Sequence, residues 1–191
     1  MKKTSVLLGL ILLLGASPLP AKEKPSETDK ESQQLLQIIN AGYGKNPIYD
    51  AEDVKAEDRH AVDLNGDGAE EMVIVPFTSC GETKNCEFFI LGKDKKNGWR
   101  LLLRAQGKVT TVTPWGYVAA PHKTQGYPDI IAVMDMGPEA NGTSSLERHI
   151  YVFNGNSYEA FEGDYPPAGA GTDLLSLMKQ VEALKYGRRG K

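Results

Sequence analysis

The chain has 191 residues, a formal net charge of -3, two cysteines, 40% hydrophobic residues and 25% charged residues. That length and composition suit one globular domain with a core of its own. The acidic balance excludes general nucleic-acid binding, which needs a basic footprint.

Residues 1–21 read as an export signal. Lys2 and Lys3 give a positive start, and Val6 to Leu14 is apolar apart from Gly9. Ala16, Ser17, Pro18, Leu19 and Pro20 then lead to Ala21. A small residue at Ala21 fits the position before cleavage, although Leu19 is larger than the residue preferred two places earlier. The apolar run is too short to span a membrane, and no cysteine follows it to carry a lipid, so no stable membrane anchor is expected after cleavage. Without Lys2 and Lys3 the charge becomes -5. The expected location is the periplasm or the exterior.

Residues 22–28 are polar, contain Pro25, and read as a disordered leader. A single β-rich domain is predicted over 29–187, and residues 188–191 form a basic tail. Thr28 and Glu31 match a capping box. Leu35, Ile38 and Ile39 share a helical face, and Gly42 and Gly44 follow, which predicts a helix over 29–41.

From Ala61 the pattern changes to strands. Met72–Phe77 and Glu87–Leu91 are apolar on both faces, as in buried strands. Trp99 to Arg104 alternates, with Trp99, Leu101 and Leu103 assigned to one face and Arg100 and Arg104 to the other. Asn97-Gly98 is a hairpin turn signal. Short strands are predicted at Val109–Val112 and Tyr117–Ala119. The order then recurs in Asp129–Met134, His149–Phe153 and Ser157–Phe161. Two three-stranded antiparallel meanders follow, over about 61–106 and 126–163. The loop from Asp135 to Glu147 is the longest candidate contact surface. Asp164 to Gly171 reads as a surface linker. An amphipathic helix over 173–186 ends the fold, with Leu174, Leu177, Met178, Val181 and Leu184 on one face. The predicted class is therefore mainly β with flanking helices.

Cys80 and Cys86 are expected to form a disulfide. Exported chains meet oxidising conditions, and the five residues between the two cysteines let the loop turn back. Such a closure stabilises by roughly 2 kcal/mol. His60, His122 and His149 form no ligand pattern, and no nucleophile or phosphate-loop motif is present. No enzyme activity is expected. Aromatic residues on strands are assigned to core packing.

The segment from Asp63 to Glu71 carries the one specific chemical signal. Oxygen donors stand at positions one, three, five and nine, as Asp63, Asn65, Asp67 and Glu71. Gly68 permits a sharp turn, and the Ala69 carbonyl falls at position seven. This is how a compact loop wraps a hard cation such as Ca²⁺. Position twelve is Ile74, inside an apolar strand, so the loop is not an EF-hand. Asn, Gly and Asp also suit a turn that binds nothing.

VDLNGDGAEEMVIV resembles the calcium loop of FG-GAP or VCBS-type repeats, the blade units of integrin-α-like propellers. The resemblance implies the donors Asp63, Asn65, Asp67, the Ala69 carbonyl and Glu71, the last a departure from the usual Asp. It covers about 15 residues. The second unit, with Gln125-Gly126-Tyr127-Pro128-Asp129, lacks alternating donors, so one site is expected. Two meanders are too few for a closed propeller. The functional expectation is a non-enzymatic envelope protein with a calcium-stabilised loop that binds another protein or a glycan. The alternatives are an inhibitor that inserts its disulfide loop into a hydrolase, and a hydrolase using Asp or Glu residues.

Overall fold

The structure is a computed structural model that describes residues 27–94, 98–110, 113–139, 144–165 and 176–181. The expected signal peptide, most of the leader, Asn97 and the basic tail lie outside the described residues.

Helix α1 (Glu27–Asn40) comes first. Eight strands follow: β1 (Arg59–Val62), β2 (Glu71–Ile74), β3 (Asn85–Asp94), β4 (Gly98–Lys108), β5 (Tyr117–Thr124), β6 (Tyr127–Pro138), β7 (Ser144–Phe153) and β8 (Tyr158–Ala160). They make two four-stranded antiparallel sheets, each in chain order, β1-β2-β3-β4 and β5-β6-β7-β8. The fold is mainly β, as expected. Each sheet has four strands where three were predicted, because β1 and β5 each add a leading edge. β1 reads Arg-His-Ala-Val and was not predicted; the short strand predicted at Tyr117–Ala119 is the first part of β5, which runs on through Pro121, His122 and Lys123. A proline is tolerated on an edge strand, and the β5–β6 register shifts between Ala119 and Lys123, where Pro121 sits.

The inner faces of the two sheets share one core. Val73, Phe88, Ile90 and Leu103 of the first sheet meet Tyr117, Ile130, Ala132, Phe153 and Tyr158 of the second sheet. The outer face of the first sheet presents Ile74, Phe89, Leu91 and Trp99, which Leu35 and Ile39 of α1 cover, with Tyr49 and Val54. The outer face of the second sheet presents Ile131, Val133 and Ile150, covered by Met178 and Val181. Those two residues lie in a helical stretch over 176–181; the rest of the predicted 173–186 helix is outside the described residues.

The strands depart from simple alternation at one point that matters. β3 and β4 slip register between Ile90 and Leu91, which pair with Leu103 and Leu101 and leave Leu102 as the extra residue. A bulge exchanges the faces of everything beyond it. Trp99 therefore packs under α1 while Leu103 enters the inter-sheet core, although alternation puts them on one face. Leu101 is 38% exposed. The predicted loop from Asp135 to Glu147 is mostly strand, since Asp135 pairs with Leu146 and Pro138 with Ser144. Gly137, at φ 94, bends β6 so that pairing can resume. Met72–Phe77 ends early: β2 stops at Ile74, and Phe77–Ser79 is a 3-10 turn. Val109 and Thr110 lie outside any strand. Glu31 accepts from the Trp99 indole Nε1 at 3.1 Å.

Two ionic contacts pin the layers. Lys108 of β4 pairs with Asp135 of β6, and their side chains are only 14% and 7% exposed. Beside it, the Asn85 amide donates to the Asp135 carbonyl and accepts from the Asp135 N–H, both at 2.8 Å. On the outer face, the buried Glu87 carboxylate accepts from the hydroxyls of Tyr43 and Tyr49 and from Arg104 Nε. Burial, reinforced by the Glu87 carboxylate, raises both tyrosines above their usual range, Tyr49 by far. Charge-assisted bonds of this kind fix the strand-free segment after α1 against the sheet.

Gly107 sets how closely the chain folds back between the sheets. A Cβ there would lie 1.8 Å from the Gly116 carbonyl oxygen, which is backbone and has no rotamer to yield. Gly107→Ala should therefore cost about 1–3 kcal/mol by overpacking. Gly81→Ala, which meets open space, should stay within about 0.5 kcal/mol. Urea unfolding of both variants measures the contrast.

Candidate functional site

The acidic loop joins β1 to β2 and folds around its own side chains. Asp63 accepts three backbone amides: Gly66 at 2.7 Å and Asp67 at 3.2 Å on Oδ1, and Gly68 at 2.9 Å on Oδ2. Asn65 Oδ1 accepts from the Asp67 amide at 2.8 Å, and Asp67 Oδ1 accepts from the Ala69 amide at 2.7 Å. The Asn65 amide nitrogen donates to Asp67 Oδ2 at 3.0 Å. Gly66 and Gly68 have φ 83 and 84, the left-handed conformation that turns consecutive amides inward. Alternate side chains thus face the loop interior, as the sequence pattern requires.

Glu71 behaves differently. It is 3% exposed. Its Oε2 accepts from the Leu64 amide at 2.9 Å, and its Oε1 from the Tyr127 hydroxyl at 3.1 Å. Tyr127 begins β6, so this bond joins the loop to the second sheet. Lys123 of β5 makes the same crossing, donating from Nζ to the Asn65 carbonyl at 2.8 Å. Burial raises the Glu71 carboxyl above its usual range, and the nearby charges of Asp67 and Asp63 add to the rise.

The donor set suits a hard cation in kind, with three carboxylates, one amide oxygen and one carbonyl within nine residues. Among the described residues, however, no three His, Cys, Asp or Glu side chains are grouped to hold a metal ion. The loop oxygens hold the loop's own amides, and Glu71 is turned toward Leu64 and Tyr127.

The predicted disulfide is present, Cys80 to Cys86. Cys86 is buried in the inter-sheet core, with Cys80 packed against it. The aromatic residues assigned to packing are placed so: Trp99, Tyr117 and Tyr158 are buried, and Tyr127 and Tyr151 pack on the core.

Two histidine environments were not legible in the sequence. His60 stacks on Trp115, with centroids 4.8 Å apart and planes 6° apart. His122 Nδ1 lies 2.6 Å from Oδ2 of Asp129, a fully buried carboxylate. Asp129 also accepts from the Thr124 hydroxyl at 2.7 Å and the Tyr165 hydroxyl at 3.1 Å. The contact depends on the β5 bulge, which no local spacing reveals. Asp129 stands near the start of β6 as Glu71 stands at the start of β2, so each sheet buries one acid there.

An acid whose native pKa is raised binds its proton more tightly folded than unfolded. The stability linked to Glu71 is therefore fully present below its ordinary value of 4.5 and is lost as pH rises through the native value. Glu71→Gln keeps an acceptor for Leu64 and a donor for Tyr127 while removing the charge. In chelator, the variant should match the wild type under acidic conditions and exceed it at neutral pH; melts across that range test this. Compared with known proteins, the chain matches no family model, no curated protein and no solved structure.

Proposed function

We propose that this chain is an exported, non-enzymatic binding module whose acidic loop takes Ca²⁺. One observation carries the reading: a nearly buried Glu71 carboxylate lies beside Asp63 and Asp67 and, among the described residues, is held by neutral donors alone. Three like charges in one turn favour a divalent ion. Asp63, Asn65, Asp67, the Ala69 carbonyl and Glu71 would hold it. Bound there, the ion would neutralise the loop and fix its docking on β5 and β6 through Tyr127 and Lys123.

The two sheets support kinship with FG-GAP or VCBS blades, since each is a meander and their faces stack. In this reading, helices cover the two outer faces where a closed propeller would place further blades. The partner surface is the end of the sandwich away from the loop. Phe77 and Met136 are 46% and 56% exposed there, beside the Cys80–Cys86 closure. The Asn85–Asp135 bonds bring those two segments together. A disulfide-closed loop beside an exposed Phe77 also favours, as a second reading, insertion into a hydrolase cleft.

Calcium in tenfold excess over its dissociation constant should stabilise the protein by about 1.4 kcal/mol, a rise of roughly 4 °C in Tm. Asp63→Asn and Asp67→Asn should lose that rise, as should Glu71→Gln. Calorimetry showing no heat of calcium binding to the oxidised protein would end the calcium reading. A pull-down from envelope extract with Phe77→Ser and Met136→Ser should lose the captured protein or glycan; unchanged capture would move the surface elsewhere.

A further inference from the structure

We propose that Glu147 and His149 of β7 hold a divalent transition ion, with Zn²⁺ the ion their donors fit best. One residue separates the two, so the pleat of the strand puts them on the same face. His149 stands opposite Ala132 of β6, and Glu147 stands opposite Met134. Ala132 belongs to the inter-sheet core, and Tyr151, next along the face, packs on that core. Arg148 alternates to the other face, opposite Val133, and does not stand between them. The pair shares no residue with the acidic loop, and the inference does not rest on that loop taking calcium.

The observation that carries this is His149 Nε2. It is buried, and no hydrogen-bond partner reaches it; among the described residues it is the one buried side-chain nitrogen or oxygen in that condition. The His149 side chain as a whole is 34% exposed, so the ring meets water but this nitrogen does not. A buried polar atom with nothing to bond is costly, and it calls for a physical reason. Glu147 Oε1 lies 3.6 Å from it, on a side chain that is 54% exposed. That is beyond hydrogen-bond range.

The width of that gap decides what fills it. A water about 2.8 Å from both atoms would have to bridge them at an angle of roughly 80°, which is too acute. A zinc ion bonds imidazole nitrogen at about 2.0–2.1 Å and carboxylate oxygen at about 2.0–2.2 Å, which sets the two donors about 3.4 Å apart at a tetrahedral angle and about 3.6 Å apart at 120°. A metal therefore bridges the pair at the separation it already has. Imidazole suits Zn²⁺, Ni²⁺ and Cu²⁺ rather than Ca²⁺ or Mg²⁺, so this pair and the acidic loop select different ions. Among the described residues no third His, Cys, Asp or Glu joins the pair. Water completes the shell, and the exposed Glu147 carboxylate is the way in.

Zn²⁺ is titrated into the oxidised protein in excess Ca²⁺, which holds any response of residues 63–71 constant. Imidazole ¹⁵N NMR should show His149 Nε2 moving to a metal-bound position, with the amides of residues 147–149, while the rings of His60 and His122 stay where they are. Calorimetry should give one Zn²⁺ per chain. His149→Gln and Glu147→Gln should each weaken it at least about tenfold, because even an outer-shell partner of a metal ligand is worth about that much. Melts in chelator check that both variants fold, and the wild-type imidazole spectrum needs no variant at all. A His149 ring that ignores Zn²⁺ and responds to acid alone would show a plain His–Glu ion pair and overturn the proposal. Zn²⁺ binding of equal strength in His149→Gln would overturn it too.

Discussion

Two sheets with apolar residues on both sides present four faces, and only two of those faces can cover each other. That constraint shapes the whole chain. Phe88 and Ile90 point inward while Phe89 and Leu91 point outward from the same strand, and all four are fully buried. A strand of that kind needs a layer on each side. The inter-sheet core satisfies the inner faces. The outer ones need helices, which Leu35 and Ile39 supply for the first sheet and Met178 and Val181 for the second. Losing either cover would leave a broad apolar surface in water, where each fully buried side chain is worth about 1.5–3 kcal/mol.

The same constraint explains where charge is tolerated. Contacts between layers are made at strand ends, where a long side chain can reach across without entering the core. Lys108 reaches Asp135 between the sheets, and Glu87, held by Arg104 of the neighbouring strand, reaches Tyr43 and Tyr49 in the segment after α1. Lys123 and Tyr127 reach the acidic loop from the second sheet. The loop is thus a docking element as well as a candidate ion site. Any change in its charge is felt at the joint between sheets.

Much of the fold was legible because its signals are local. The apolar runs around Val73, Phe88, Ile131 and Tyr151 are strands, the helix ahead of Gly42 is present, and the two cysteines are joined. What failed depended on partners distant in sequence. Trp99 and Leu103 exchange faces because of one extra residue at Leu102, and alternation cannot reveal a bulge. The second half of β5 hides behind Pro121 because edge strands relax the rule against proline. The acidic loop was found because its spacing is compact.

Among the described residues six carboxylates are buried: Asp53, Asp58, Glu71, Glu87, Asp129 and Asp135. They divide by what faces them. Glu87 and Asp135 meet fixed cations, Arg104 and Lys108. Asp129 meets His122 Nδ1 at 2.6 Å and the Thr124 and Tyr165 hydroxyls. Glu71 and Asp53 accept only from neutral donors, and Asp58 lies beside Lys55 and Glu57 in the 3-10 turn before β1. Among the described residues no base pairs with Glu71, because Lys123 donates to the Asn65 carbonyl instead. The proposed dependence on an external cation therefore falls on the loop before β2, where Tyr127 and Lys123 of the second sheet meet the first.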